Sequence, residues 1–156
     1  MAEPSLTRDE VERYLHEHIP LTAAMGMEVL AAGAAAVVLR APLAPNINHR
    51  ETGFGGSISA LAITAGWTWL HVALREWLDE PARIVIQRNE VAYLAPARGA
   101  MTARCGGPGA AESQRFRQTL ERHGRARLSL AVRLDCDGEE IATFGGTYVA
   151  LLPASA

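Results

Sequence analysis

The sequence predicts an α+β fold: one antiparallel sheet wrapped around a long central helix. Residues 57–74 contain no Asp, Glu, Lys or Arg. Their apolar side chains fall on every side of a 3.6-residue wheel, so a helix there has to be surrounded. The order of elements along the chain is helix, two strands, long helix, two strands, short helix, two strands, and a curled sheet is the economical way to enclose the middle helix. The last two strands, joined by Asp137-Gly138, carry the two-residue hairpin signal of an antiparallel pair.

Leu6-Thr7-Arg8-Asp9-Glu10-Val11 marks a helix start, with Thr7 as cap, Glu10 closing the box, and Leu6 and Val11 as the staple. That helix is expected to end near His18, because Pro20 biases Ile19 out of the helical region. Residues 27–32 and 35–41, split by Gly33, read as two strands, and Pro42 and Pro45 then end regular structure. A loop over 46–54 leads through Gly55-Gly56 into the central run, 57–78, which as a helix is on the order of 30 Å long. About 18 uncharged residues also raise a membrane span, but Ser57, Ser59, Thr64, Thr68 and His71 interrupt the run, and a buried core helix is the reading adopted. Pro81 breaks it. Residues 83–93 and 99–105 are the next strands, with Pro96 between them. Gly106-Gly107-Pro108-Gly109 is a loop, and a helix over 111–123 stops at Gly124. In 126–135, Leu128, Leu130, Val132 and Leu134 face one way and Arg127, Ser129 and Arg133 the other. Residues 140–152 close the sheet. This arrangement is the hot-dog fold, and because the sheet covers only one side, a homodimer is expected to close the rest.

A chain of 156 residues with 49% apolar content and a net charge of −2 fits one globular domain, 1–156 with its core at about 11–152, and argues against nucleic-acid binding. All 15 basic residues are arginine, which excludes Schiff-base and phosphate-loop lysines. The start, Met1-Ala2-Glu3-Pro4-Ser5, lacks the basic and apolar regions of a secretory leader, so a cytoplasmic protein is expected. Cys105 and Cys136 sit far apart in apparent strands, without metal-ligand spacing, and the five histidines have no helical-spaced companion. No metal and no cofactor is expected.

Ala41-Pro42-Leu43-Ala44-Pro45-Asn46-Ile47-Asn48-His49, then Phe54-Gly55-Gly56-Ser57, and later Tyr93-Leu94-Ala95-Pro96 resemble the hot-dog family defined by the C-terminal domain of YiiD, over roughly 11–152. Members are usually called thioesterases. The resemblance implies a stand-alone branch assigned as malonyl-acyl-carrier-protein decarboxylase, whose key side chain is the second Asn of the motif, here Asn48. Hot-dog thioesterases with a His-Gly-Gly turn use a carboxylate on the central helix. This chain has Phe54 in place of that His and Ile63 in place of the acid, and its helix offers no carboxylate before Glu76.

Hydrolysing a thioester needs a general base or a nucleophile beside the carbonyl. Decarboxylating a malonyl thioester instead needs an oxyanion stabilised and a carboxylate stripped of water. Asn48 as a neutral donor, helped by the amides of Gly56 and Ser57 at the helix tip, meets the first need. Asn48 and His49 are therefore the expected catalytic pair, with His49 able to protonate the enolate, and Asn46, Phe54, Gly55, Gly56 and Ser57 the expected substrate contacts. The plain alternatives are that the asparagines are turn residues bonding their own backbone, that His49 and Glu51 are exposed loop charges, that Glu90 forms an interface ion pair, and that Trp67, Trp69 and Trp77 pack the core. If the reaction is hydrolysis, Glu51 or His49 is its base. Failing both, the domain is a non-catalytic acyl-binding module. Arg115, Arg117, Arg122, Arg125 and Arg127, opposed only by Glu121, suit an acidic acyl carrier protein or the phosphates of coenzyme A.

Overall fold

The structure, a computed structural model, describes residues 5–154; the stretch Met1–Pro4, where a leader would begin, lies outside the described residues. Helix α1 (Arg8–His18) opens with the expected capping box: Glu10 N donates to Thr7 Oγ1 at 3.2 Å, and Thr7 N donates to the Glu10 carboxylate at 2.7 Å. A short α2 (Pro20–Ala24) follows. Pro20 is expected from sequence only as the stop for α1, yet at the first position of a helix its missing N–H costs nothing and its φ is already helical.

Strands β1 (Glu28–Ala32) and β2 (Val37–Ala41) lead to a 3-10 turn (Ala44–Asn46) and then to α3 (Gly55–Trp77). The glycine pair forms the first turn of α3 rather than preceding it, and Phe54 stands at its N-cap without a side-chain cap. Beyond α3 come β3 (Arg83–Tyr93), β4 (Met101–Cys105), α4 (Ala110–His123), β5 (Arg125–Cys136) and β6 (Glu139–Leu151). Gly124 ends α4 at φ 70°, and Asp137-Gly138 turns at φ 51° and 82°, as a tight hairpin requires.

The six strands form one antiparallel sheet in the order β1-β2-β4-β5-β6-β3. It curls around α3, whose Leu61, Ala62, Ala65 and Leu70 are fully buried, with Leu39, Leu134 and Tyr148 among the sheet residues of the same core. This is the hot-dog arrangement. Although α3 is long and apolar enough to cross a membrane, 67% of its apolar window is buried inside the fold. Cys105 and Cys136 are buried free thiols on β4 and β5.

The flank of α3 and the two sheet edges bear on function. Along α3, Ser59, Ala60, Ile63, Trp67 and His71 are only half-buried, a stripe at helical spacing on the side the sheet leaves open. The sheet edges differ from each other. On β1 the edge is plugged by α1: Val29 N donates to the Glu12 carboxylate at 2.8 Å and His16 Nε2 donates to the Met27 carbonyl at 2.8 Å. Edge strand β3 is 11 residues long, and among the described residues no strand lies beyond it.

Candidate active site

The loop between the 3-10 turn and α3 is folded on itself. Asn48 N donates to the Thr52 carbonyl at 2.8 Å, Glu51 N donates to the Asn48 carbonyl at 3.0 Å, and Ile47 bridges Gly53. Inside this turn the Asn48 carboxamide is the clasp. Its Oδ1 accepts from Arg50 N at 2.8 Å and Thr52 N at 3.2 Å, while its Nδ2 donates to Thr52 Oγ1 at 3.0 Å and, at the long distance of 3.4 Å, to the Gly53 carbonyl. The backbone-bonding role of Asn48 is therefore real, but it leaves one Nδ2 hydrogen weakly engaged. At the foot of the loop Gly53 N donates to the Ala97 carbonyl at 2.8 Å. A Cβ on Gly53 would lie 2.9 Å from both Ala97 Cβ and Met101 Sδ, so this close approach requires glycine.

Asn48, Thr52, Gly53, Gly55 and Ile58, with Tyr93 to Pro96 from the end of β3, line an open cleft of about 400 Å³ at the tip of α3. The amides of Gly55, Gly56 and Ser57 take part in none of the hydrogen bonds of the described residues; the helical ladder begins with Ile58 N donating to the Phe54 carbonyl at 3.0 Å. Three amides at the positive end of a 23-residue helix thus have no internal partner, and the first of these residues, Gly55, shares the cleft lining with Asn48. Tyr93 Oη donates to the Gly55 carbonyl at 2.9 Å, tying the end of β3 to the helix tip. Ile47, Phe54, Tyr93 and Leu94, all large and exposed, rim the same region.

Asn46 is placed differently. It is 1% exposed, and its Nδ2 donates to the Met25 carbonyl at 2.9 Å and the Pro42 carbonyl at 2.8 Å. Its backbone carbonyl accepts from Phe54 N at 2.8 Å. This side chain pins the turn after α2 to the loop and does not line the cleft, so it is a structural residue rather than the expected substrate contact.

Of the other residues predicted from sequence, Asn48 and Gly55 line the cleft. Gly56 and Ser57 contribute helix-tip amides, and the exposed Phe54 ring lies over Gly56. His49 and Glu51 are exposed on the loop turn, Glu51 at φ 61°, and neither lines the cleft. No Asp, Glu or His lines the cleft among the described residues. Sequence reasoning gives no role to Thr52 or Tyr93. A tyrosine at the last position of an edge strand, a broad ring with a polar tip, is the available signal for Tyr93.

A family model described as "Putative thioesterase (yiiD_Cterm)" matches residues 8–152. The chain belongs to this YiiD C-terminal family. Among solved structures, this family member is similar to a protein of unknown function from Chlorobaculum tepidum, with 29% identity, a TM-score of 0.90, and coverage of 97% of this chain and 100% of that one. It is also similar to a "putative thioesterase" from Shewanella oneidensis, with 31% identity, a TM-score of 0.81, and coverage of 94% and 97%. With a Haemophilus influenzae thioesterase it shares the fold alone, at 15% identity and a TM-score of 0.76 over 97% and 94% of the two chains.

Proposed function

We propose that this YiiD C-terminal family member is a cytoplasmic, homodimeric enzyme that decarboxylates the malonyl thioester of an acyl carrier protein to the acetyl thioester, supplying the start of fatty acid synthesis. The observation that supports the reading is the cleft at the tip of α3, which Asn48 and the first helix residue, Gly55, line together, with no acid or imidazole in the lining among the described residues. In the reaction the bond from Cα to the carboxylate carbon breaks and carbon dioxide leaves. The electron pair passes onto the thioester oxygen, and the enolate carbon then takes a proton from solvent, since His49 lies outside the cleft lining. Asn48 Nδ2 and the amides of Gly56 and Ser57 hold the oxygen as it gains charge, a device worth about 100- to 1000-fold per donor.

Carrier recognition falls to the arginines. Arg125 and Arg127 line a shallow groove on the outer sheet face with Val85, Val149 and Leu151, and Arg115 and Arg122 are exposed on α4. Arg117 is partly committed, 3.0 Å from Glu121.

The family description and the Shewanella relative support a second reading, hydrolysis with Glu51 or His49 as base. Incubation with malonyl and acetyl thioesters of carrier protein and coenzyme A separates the two. Carbon dioxide without free thiol is the outcome expected, free thiol favours hydrolysis, and neither product leaves a non-catalytic acyl-binding module.

A further inference from the structure

Resting on the proposed decarboxylation, we infer that the solvent proton reaches the enolate carbon through Tyr93, whose hydroxyl gives up its own proton and is then recharged by water. Tyr93 is thereby a catalytic residue as well as a tie between the end of β3 and the helix tip.

The cleft has few protons to offer. Asn48, Thr52 and Tyr93 carry the polar side chains of its lining among the described residues, and the remaining lining residues are glycine, proline or apolar. A carboxamide holds its hydrogens too tightly to protonate carbon. Thr52 Oγ1 is closed into the loop clasp, accepting from Asn48 Nδ2 at 3.0 Å and donating to Asn48 Oδ1 at 3.3 Å, and an aliphatic alcohol is a poor acid. That leaves the phenol, a group that serves as a general acid when it is positioned at the reacting atom. A phenol is also a stronger acid than the α carbon of a thioester, so the transfer runs downhill.

The ring is placed for this step. Tyr93 pairs with Ala142 at the end of β3, and the next amide, Leu94 N, donates to the Ile141 carbonyl at 2.8 Å, so the backbone that carries the ring is fixed. The ring lies against Gly55, where an added Cβ would stand 3.5 Å from its Cε1, Cζ and Oη. Its hydroxyl donates to the Gly55 carbonyl at 2.9 Å. That carbonyl belongs to the same peptide unit as the Gly56 amide, one of the donors assigned to the thioester oxygen, so proton and developing charge are separated by one peptide unit. At 54% exposed, Tyr93 also exchanges directly with water. After carbon dioxide leaves, the π pair of the enolate takes the proton from Oη: a C–H bond forms, the O–H bond breaks, the carbonyl is restored, and the phenolate takes a proton from solvent. Each turnover consumes one solvent proton and leaves the tyrosine as it began.

Tyr93→Phe keeps the ring and removes the proton, and the test follows where that proton goes. Wild type and variant are given the malonyl thioester of carrier protein in an equal mixture of H2O and D2O, and the ratio of hydrogen to deuterium added to the acetyl product is read by mass spectrometry, with recovered malonyl thioester correcting for its own exchange. The ratio should differ between the two proteins, because a phenol and water discriminate differently against deuterium. The methylmalonyl thioester in D2O supplies a second reading: wild type should give α-deuteropropionyl product of one configuration, and Tyr93→Phe should give both in equal amounts, with slower turnover. An unchanged ratio, or both configurations already from wild type, overturns the inference whatever the rate does, since a tie that only steadies the helix tip alters speed or melting temperature and leaves the route of the proton alone. If the methylmalonyl thioester is not accepted, the ratio decides by itself. A wild-type protein that releases no carbon dioxide from the malonyl thioester refutes the proposed function; carbon dioxide release with an unchanged ratio refutes only the role of Tyr93.

Discussion

In the proposed reaction Asn48 would have two jobs that pull in different directions. Its Oδ1 is committed to the loop backbone, and its Nδ2 donates to Thr52 Oγ1 and, at long range, to the Gly53 carbonyl, so a substrate oxygen would receive what one hydrogen can give. Asn48→Ala should lower turnover about 100- to 1000-fold, as loss of one oxyanion donor does, and should also loosen the loop. Thr52→Val separates the two effects. It removes a clasp partner but keeps the donor, so its melting temperature should fall with that of Asn48→Ala while its rate falls far less; equal rate losses would make Asn48 a turn residue only. Sequence could name both asparagines but not sort them, because the 3-10 turn that rotates Asn46 inward depends on burial against Met25 and Pro42, which no local pattern encodes. His71 gives a prediction of another kind. Burial, reinforced by the Arg75 guanidinium and by His18, lowers its pKa to about 4. Between about 6.5 and 4 the unfolded chain binds a proton that the fold refuses, so stability falls as pH falls through that window. The loss is on the order of 1 to 2 kcal/mol once the partial exposure of the ring is allowed for. Urea midpoints at pH 7 and pH 4.5 should separate less in His71→Phe than in the wild type; an identical separation would contradict it.

At the level of elements, α3 shows how a helix greasy on every side is held. Tyr148 on β6 is fully buried and its hydroxyl donates to the Ile63 carbonyl at 2.7 Å, with its ring laid against Gly66. Alanine in a helix interior is intrinsically better than glycine by about 1 kcal/mol. A Cβ on Gly66 would strike the Tyr148 hydroxyl, however, and a pinned, buried ring cannot withdraw. Overpacking of this kind costs about 1 to 3 kcal/mol, so Gly66→Ala should be destabilised in chemical denaturation; a gain in stability would show that the ring has room to move. The helix was legible because its apolarity is independent of neighbours, and β5 was legible from strict alternation. The onset of α3 was less so, since glycine is a poor helix former yet costs little in a first turn whose amides have no internal partner. The short α2 was hidden by a proline that can stop one helix and start the next.

At the scale of the whole molecule the two sheet edges differ: β1 is held by Glu12 and His16 of α1, and β3 has no strand beyond it among the described residues. Charge reversal at Arg122 and Arg125 should weaken use of carrier protein in a salt-dependent way while sparing small thioesters. An unchanged rate at low salt would remove these side chains from carrier binding. The arginines at 115–127 were legible in the sequence as a basic cluster, and Glu90 as a candidate for an ion pair between copies; the bulge at Gln87, which decides the face each residue of β3 takes, was not, because no sequence pattern marks it.

Gln87 is the residue β3 can spare on grounds of alternation alone. Deleting it would leave Ile84 and Ile86 facing inward and Arg88 and Glu90 facing outward, so every hydrogen-bonded neighbour across to β6 would keep its mate. What the chain would lose is bend and local twist. A strand straightened in that way would offer a flatter rim to any extended peptide, the kind of exposed edge that a bulge makes less regular.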